Sequence, residues 1–358
     1  MPENRSLKFS HSTSFGDVPA GWLRVQPIMH IARTIVDLGG DARQIFSDRG
    51  IPDDLFSNPE NSISLEAIGS LLEHCVATTH CEQFGLLLGT GSIGNPFGLL
   101  GEVLVHCADV GTAIAHFQQY YHLHDNGAMA TRMIEGGTVS LGYSVFRLDG
   151  PGIEQINDTA IAVGMVLMRH LCGPKWRPTS VLLPRRRPVD VRPYQRAFGC
   201  TPEFNAERAA LVFPVEHLTR PIAGADPKKY TLLSERLQTI ASKYDLKFSD
   251  QVSRVVRGLV ALRRCSLDQV ATMFGMNQRR MNRLLEREGT TYRKILQETL
   301  RTIAERLIAD TDMPLVGISV VLNYADASAF TRAFRNWRGC SPSEWRQIHA
   351  KQTKGETS

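Results

Sequence analysis

The chain has 358 residues, with 41 Lys+Arg against 36 Asp+Glu and a formal net charge of +5. Its 42% hydrophobic and 22% charged content is that of an ordinary globular chain of about two domains, which excludes a disordered protein, a collagen and a coiled-coil rod. No apolar run approaches the roughly 20 residues that span a bilayer, and the N-terminal MPENRSLKFSHSTSFGD holds no apolar signal segment.

A polar arm, residues 1–21, comes first. Trp22–Leu38 reads as a helix, because Ile28, Ile31, Ile35 and Leu38 fall at helical spacing. Ser64 is an N-cap for a helix to about Thr78. Further helices are expected at 82–88, 98–107 and 110–121, with Asp109 capping the last. The period then changes. Ala128–Ile134 and Val139–Val145 alternate or carry β-branched residues around Glu135-Gly136-Gly137, a hairpin signal. Residues 154–172 read as a long buried helix, 180–183 and 210–213 as short strands, and 192–199 as one short helix. Residues 22–220 are therefore an α+β domain. The break PIAGADP (221–227) opens a linker placed at 221–240. From Lys228 onward the pattern is helical, so residues 241–346 form an all-α domain, followed by a polar tail, 347–358.

Charge shifts at the same place. Residues 240–346 hold 18 Lys+Arg against 11 Asp+Glu, whereas residues 1–239 hold 21 against 24. A basic third on a slightly acidic remainder points to a polyanion partner. The seven cysteines are scattered and form no CxxC pair, which fits a reducing cytoplasm better than a disulfide scaffold.

The stretch SLDQVATMFGMNQRRMNRLLERE (266–288) carries the sharpest pattern. Ser266 and Gln269 have capping-box spacing. Leu267, Val270, Ala271 and Phe274 share one face, Gly275 breaks the helix, and Asn277 caps the next. In that second helix Met281, Leu284 and Leu285 form the inner stripe. Gln278, Arg279, Asn282 and Arg283 occupy the outward side, near Arg280. A helix fits the major groove, where Arg and Asn can each make paired hydrogen bonds to base edges. The pattern returns in PLVGISVVLNYADASAFTRAFRNW (314–337). Here Val316, Ile318, Val321 and Leu322 supply core, Asn323 or Tyr324 the turn, and Asp326 the cap. Phe330, Phe334 and Trp337 pack inward. Ala327, Ser328, Ala329 and Arg332 face outward, with Arg335 and Arg338 further along. A helix from about Tyr292 to Asp310 joins the units. Nineteen residues span roughly 28 Å at 1.5 Å each, which suits successive major grooves roughly 34 Å apart.

Residues 250–346 resemble the double helix-turn-helix DNA-binding domain of AraC-type transcriptional regulators. The matching residues are Val270-Ala271, Met276 to Arg279, Arg283, Ala304 to Ile308, and especially DASAFTRAFRNWRGCSPSEWR (326–346). The second unit departs from the family pattern at Asn323, where Gly is usual, at Gly317, where an acid is common, and at Ser319, where Ala is common. The resemblance implies that Arg279, Asn282, Arg283, Ser328, Ala329 and Arg332 read bases. It places Asn277, Gln278, Arg280 and Arg335 on phosphates. Residues 22–215 are similar to the arabinose-binding and dimerisation domain in the branch of ornithine-utilisation-type activators. That similarity is carried by Phe84-Gly-Leu-Leu-Leu-Gly89, Phe97-Gly-Leu-Leu-Gly101, Asp109 to Tyr121, Tyr194 to Gly199, Phe204 and Leu211-Val-Phe213.

Other features have plainer accounts. Gly89 to Gly94 matches GxGxxG but follows a helical segment, so it is a loop rather than a dinucleotide site. His74-Cys75 and His80-Cys81 lack zinc spacing, and His122 and His124 line a surface or pocket. Arg185, Arg186, Arg187, Arg192 and Arg196 form a basic cluster, either a solvated loop or a site for an anionic effector or a domain contact. No Ser-His-Asp or Cys-His arrangement is legible, and no metal or cofactor is expected. The reading is a cytoplasmic, sequence-specific DNA-binding regulator, an effector-responsive activator working as a homodimer with RNA polymerase. Its rivals are a ligand-independent regulator or repressor, and an enzyme fused to a DNA-binding domain.

Overall fold

The computed structural model describes residues 9–11, 15–16, 18–92, 94–145, 150–244, 247–261, 265–274, 276–311 and 313–355. Much of the polar arm, the glycine at 275 and the end of the tail lie outside them. The chain forms two compact units, Met1–Asp245 and Leu246–Ser358.

The first unit opens with strands β1 (Phe9–Ser10) and β2 (Trp22–Arg24), then helices α1 (Ile31–Asp37) and α2 (Ala42–Asp48), strand β3 (Ser62–Ser64) and helix α3 (Leu65–Thr79). The strands form a small sheet in the order β1-β3-β2. The continuous helix expected over Trp22–Leu38 is overturned here. Trp22-Leu23-Arg24 pairs antiparallel with Ser62-Ile63-Ser64, and Gln26–Ile28 is a 3-10 turn with Pro27 in its first turn. The apolar spacing is real, since Ile28, Ile31 and Ile35 are all buried. It is shared between a turn and a short helix because strand pairing captures the residues before Pro27.

Helices α4 (Phe84–Thr90), α5 (Leu99–Val105) and α6 (Val110–Tyr120) follow. Ser64 and Asp109 cap α3 and α6, accepting from Ala67 N at 3.2 Å and Thr112 N at 2.7 Å. Strands β4 (Ala128–Glu135) and β5 (Thr138–Val145) make the expected hairpin around Gly136-Gly137, both at positive φ. Then come α7 (Ile153–Cys172), β6 (Ser180–Leu183), α8 (Arg192–Phe198), β7 (Glu203–Phe204), β8 (Ala209–Pro214) and α9 (Pro227–Lys243). The larger sheet runs β4-β5-β8-β6-β7, and α7 packs on it and on α4. The α4 glycines are what permit that approach. A Cβ on Gly85 would lie 2.3 Å from Gln155 O, and one on Gly89 2.4 Å from Thr159 O. The first Gly of the GxGxxG spacing is therefore a helix-crossing residue.

Helix α9 occupies most of the 221–240 segment expected as a linker. It belongs to the first unit: Leu237 is fully buried, and Asp226 caps the helix through Lys228 N and Lys229 N.

The second unit consists of α10 (Phe248–Ala261), α11 (Leu267–Met273), α12 (Gln278–Arg287), α13 (Tyr292–Asp310), α14 (Leu315–Val321), α15 (Ala327–Arg338) and α16 (Pro342–Gly355). Helix α10 packs on α11, α12 and α13, and α16 packs on α13 and α15, so α13 is shared by two small three-helix groups. Fully buried Val270, Met281 and Leu285 fill the first group, and Ile318, Phe330 and Phe334 the second.

Candidate nucleic-acid interface and ligand pocket

The two helix-turn-helix pairs are α11–α12 and α14–α15. In the first, Ser266 Oγ accepts from Gln269 N at 3.2 Å, and the Gln269 amide oxygen accepts in return from Ser266 N at 3.3 Å, completing the capping box. Asn277 Oδ1 accepts from Arg280 N at 2.9 Å and starts α12. The Asn277 side chain is thus engaged as a cap. Gln278 reaches Asp268 Oδ1 at 3.0 Å. Around that start, Arg279, Arg280 and Arg283 are exposed and Asn282 is half-buried.

In the second pair, Asp326 Oδ1 accepts from Ala329 N at 2.7 Å and starts α15. Ser328, Arg332 and Arg335 are exposed and Ala329 is half-buried. The turn before it rests on Asn323, at φ +59°. One expected core residue is displaced: Val316 is 63% exposed, and Ser319, which bonds back to Val316 O at 2.7 Å, is buried on the inner face instead. Helix α14 is rotated so that Ile318, Ser319 and Leu322 face inward.

The arginines of this unit divide into two sets. Arg338 pairs with Glu305 at 2.5 Å and lies 4.7 Å from the Trp345 ring centroid. Arg301 pairs with Glu298 and Glu305, and Arg346 donates to the carbonyls of Ile308 and Met313. These brace the fold. Arg279, Arg280, Arg283, Arg332 and Arg335 have no ion pair among the described residues. Exposed and without an ion pair, Arg279, Arg280 and Arg283 put positive charge on the first two turns of α12 and Arg332 on the second turn of α15, on top of the helix N-terminal dipole, while Arg335 lies in the last turn of α15.

The basic cluster of the first unit is dispersed. Arg185 is buried and bound to the fully buried Asp158, whose Oδ2 also accepts from the Tyr194 hydroxyl at 2.6 Å. Burial lifts the Asp158 carboxyl to about 6 even with that arginine beside it. Arg187 stacks on Phe204, Arg192 pairs with Asp190, and the Arg186 amide donates to Glu154. Arg196 is exposed on α8.

A mostly apolar concave site of this unit lies elsewhere, between α7 and the larger sheet. Its volume is about 80 Å³. Phe97, Phe117, Leu141, Val163, Leu167 and Leu211 supply apolar wall. Polar groups gather at one end. Asp125 accepts from Gly127 N at 2.8 Å and Ala128 N at 3.0 Å through Oδ1, and from Tyr143 at 2.9 Å and Tyr121 at 3.5 Å through Oδ2. Burial still lifts its carboxyl to about 6. Beside it His124 is buried and kept neutral, first by burial and then by the charge of Arg24. Sequence reading put His124 near a pocket but missed Asp125. Tyr121, His124 and Asp125 are near neighbours in the chain but form no recognisable motif, and Tyr143 joins them only through the β4–β5 hairpin.

A profile described as the arabinose-binding domain of AraC transcription regulators, N-terminal, matches residues 39–222, and a helix-turn-helix domain profile matches residues 270–348. The chain belongs to the AraC family of transcription regulators. Its relatives in that family include the ornithine utilization regulator of Pseudomonas aeruginosa, 26% identical over 87% of this chain and 93% of that protein. Another is the HTH-type transcriptional regulator VirS of Mycobacterium tuberculosis, 26% identical over 87% of this chain and 92% of that one. Among solved structures, the transcriptional regulator CdpR of P. aeruginosa aligns over 88% of this chain and 97% of its own, at 21% identity and a TM-score of 0.42. As an AraC-family member the chain is a DNA-binding transcription regulator and not an enzyme.

Proposed function

We propose that this regulator is an effector-responsive activator that works in the cytoplasm as a homodimer and engages two successive major grooves with α12 and α15. The observation that carries the DNA reading is the pair of capped helices, α12 and α15, each bearing exposed arginines with no ion pair among the described residues. Arg279, Asn282, Arg283, Ser328, Ala329 and Arg332 are assigned to base edges. Arg280 and Arg335, with Gln278 and the backbone amides that follow Asn277, are assigned to phosphates. The length of α13, roughly 28 Å, is compatible with two entries on one DNA face. The effector is assigned to the pocket under α7, and its binding shifts the populations that contact DNA and RNA polymerase.

The test selects a high-affinity site from random duplex DNA with the full chain and maps it by hydroxyl-radical footprinting. Two protected segments about one helical turn apart per protomer are expected. A single protected segment would overturn the two-groove reading. Transcription in vitro from a promoter carrying the selected site separates activation from repression.

A further inference from the structure

We infer that the effector is a small uncharged molecule, mostly apolar, that carries one hydrogen-bonding group to His124. This rests on reading the first unit as effector-binding. The pocket's own chemistry narrows the class. Its walls are aliphatic and aromatic side chains from α3, α6, α7, β4, β5 and β8, and apolar surface returns free energy only when an apolar ligand covers it.

The polar end has little left to offer. Both Asp125 oxygens already accept two hydrogen bonds each, from two backbone amides and two phenols, so the carboxylate is saturated. The Tyr143 and Tyr121 hydroxyls spend their protons on it. His124 differs. Its ring lines the same pocket, and its buried Nδ1 has no hydrogen-bond partner among the described residues. A buried, unsatisfied nitrogen of this kind costs free energy until something pairs with it. The ring is edge-on to Phe97, with centroids 5.0 Å apart, and Phe97 is in turn edge-on to Phe117 at 4.9 Å. A ligand reaching His124 therefore lies along aromatic faces.

Charge is excluded at both signs. An anion would enter beside the buried Asp125 carboxyl, and the nearby Arg24 is already paired with Glu60. A cation would have to be desolvated against apolar walls, with only a carboxylate whose acceptor positions are taken. A sugar fares no better, since one ring nitrogen and two phenol oxygens whose protons are already donated cannot satisfy the donors and acceptors of several hydroxyls. The arabinose in the matching family's description thus fits this pocket poorly.

The experiment titrates the full chain calorimetrically with 1-hexanol, toluene, L-arabinose and L-ornithine, and repeats each with two variants. Gly164→Leu fills the pocket from α7: among the described residues a Cβ at Gly164 meets only Leu211 Cδ1, at 3.7 Å, so there is space to occupy. His124→Phe keeps an aromatic ring and removes the nitrogen. Saturable 1-hexanol binding is expected, weakened at least tenfold by Gly164→Leu. His124→Phe should weaken 1-hexanol about tenfold while leaving toluene within about twofold. An unchanged near-ultraviolet circular dichroism spectrum and a single cooperative thermal transition of the full chain show that the first unit of each variant is folded. Arabinose or ornithine saturating the protein while 1-hexanol and toluene do not would overturn the ligand class. So would binding of none of the four, or 1-hexanol affinity indifferent to both variants. The effector reading fails separately, if 1-hexanol fills the pocket as described yet changes neither DNA affinity nor transcription.

Discussion

His116 Nε2 lies 2.8 Å from the hydroxyl of Tyr230. Helix α6, which carries Phe117 into the pocket wall, is thereby tied to α9, the last helix of the first unit. Burial holds His116 below its usual pKa, so the bond is between uncharged groups and contributes about 1 kcal/mol. Tyr230→Phe removes it and keeps the ring contact, centroid to centroid 5.7 Å. Hydrogen exchange over residues 227–243 is expected to quicken about fivefold, the counterpart of that free energy. Unchanged exchange would mean that the remaining contacts of α9, the Tyr120–Gln238 hydrogen bond among them, hold it without this bond.

Asp125 makes the unit's stability depend on pH. Its folded pKa, about 6, lies above the ordinary 3.8. For a carboxyl raised in this way the protonated form is the one the fold prefers. The native state therefore holds the extra proton between about pH 4 and 6, and stability falls as pH rises through that window. The contribution is fully present below about 4 and lost above about 6, a difference of roughly 3 kcal/mol at 1.4 kcal/mol per unit. Asp125→Asn abolishes this titration. Denaturant unfolding of both proteins from pH 4 to 7 is expected to show the natural chain losing ground against the variant across the window. Parallel curves would place the carboxyl's pKa near its unfolded value.

The helix-turn-helix pairs were legible because their signals are local: a cap three residues before its amide, an apolar stripe at helical spacing, arginines without acids between them. Ser266, Asn277 and Asp326 each cap as their spacing implies. The pocket was not legible, because Phe97, Asp125, Gly164 and Leu211 meet only after the sheet and α7 assemble. Arg185 misled for a related reason. In the sequence it is one of three consecutive arginines, and only its partner 27 residues upstream, Asp158, reveals that its charge is spent inside the fold. Strand β2 was lost to a helical reading because its pairing partner, Ser62–Ser64, lies some forty residues away.

Arg332 and Arg335 sit three residues apart on α15, and both are exposed, yet their substitution should read out differently. Arg332→Ala is expected to cost about 1–3 kcal/mol on the selected site and little on random DNA, because a base contact is lost. Arg335→Ala should weaken both DNAs alike and reduce the salt slope by about 1, the release of one counterion. Binding measured at two salt concentrations on both DNAs separates these outcomes. Equal losses everywhere would remove the distinction between the two roles.

Asn323 closes α14 in a left-handed turn at φ +59°. Tyr324 N donates to Ser319 O at 2.9 Å and Asn323 N to Val320 O at 3.2 Å. These are the two crossed bonds of a Schellman cap. The cap then delivers Tyr324 onto Phe330 and Trp337, 5.7 and 6.4 Å between centroids, so the turn sets the angle at which α15 leaves. A β-branched residue pays about 1–2 kcal/mol for that backbone conformation, which Asn tolerates and Gly adopts freely. Asn323→Val is therefore expected to speed hydrogen exchange in residues 315–338 by tenfold or more and to weaken binding to the selected site. Asn323→Gly should leave both within about twofold of the natural chain. If Val and Gly behaved alike, the left-handed turn would not be what holds the second recognition helix in place.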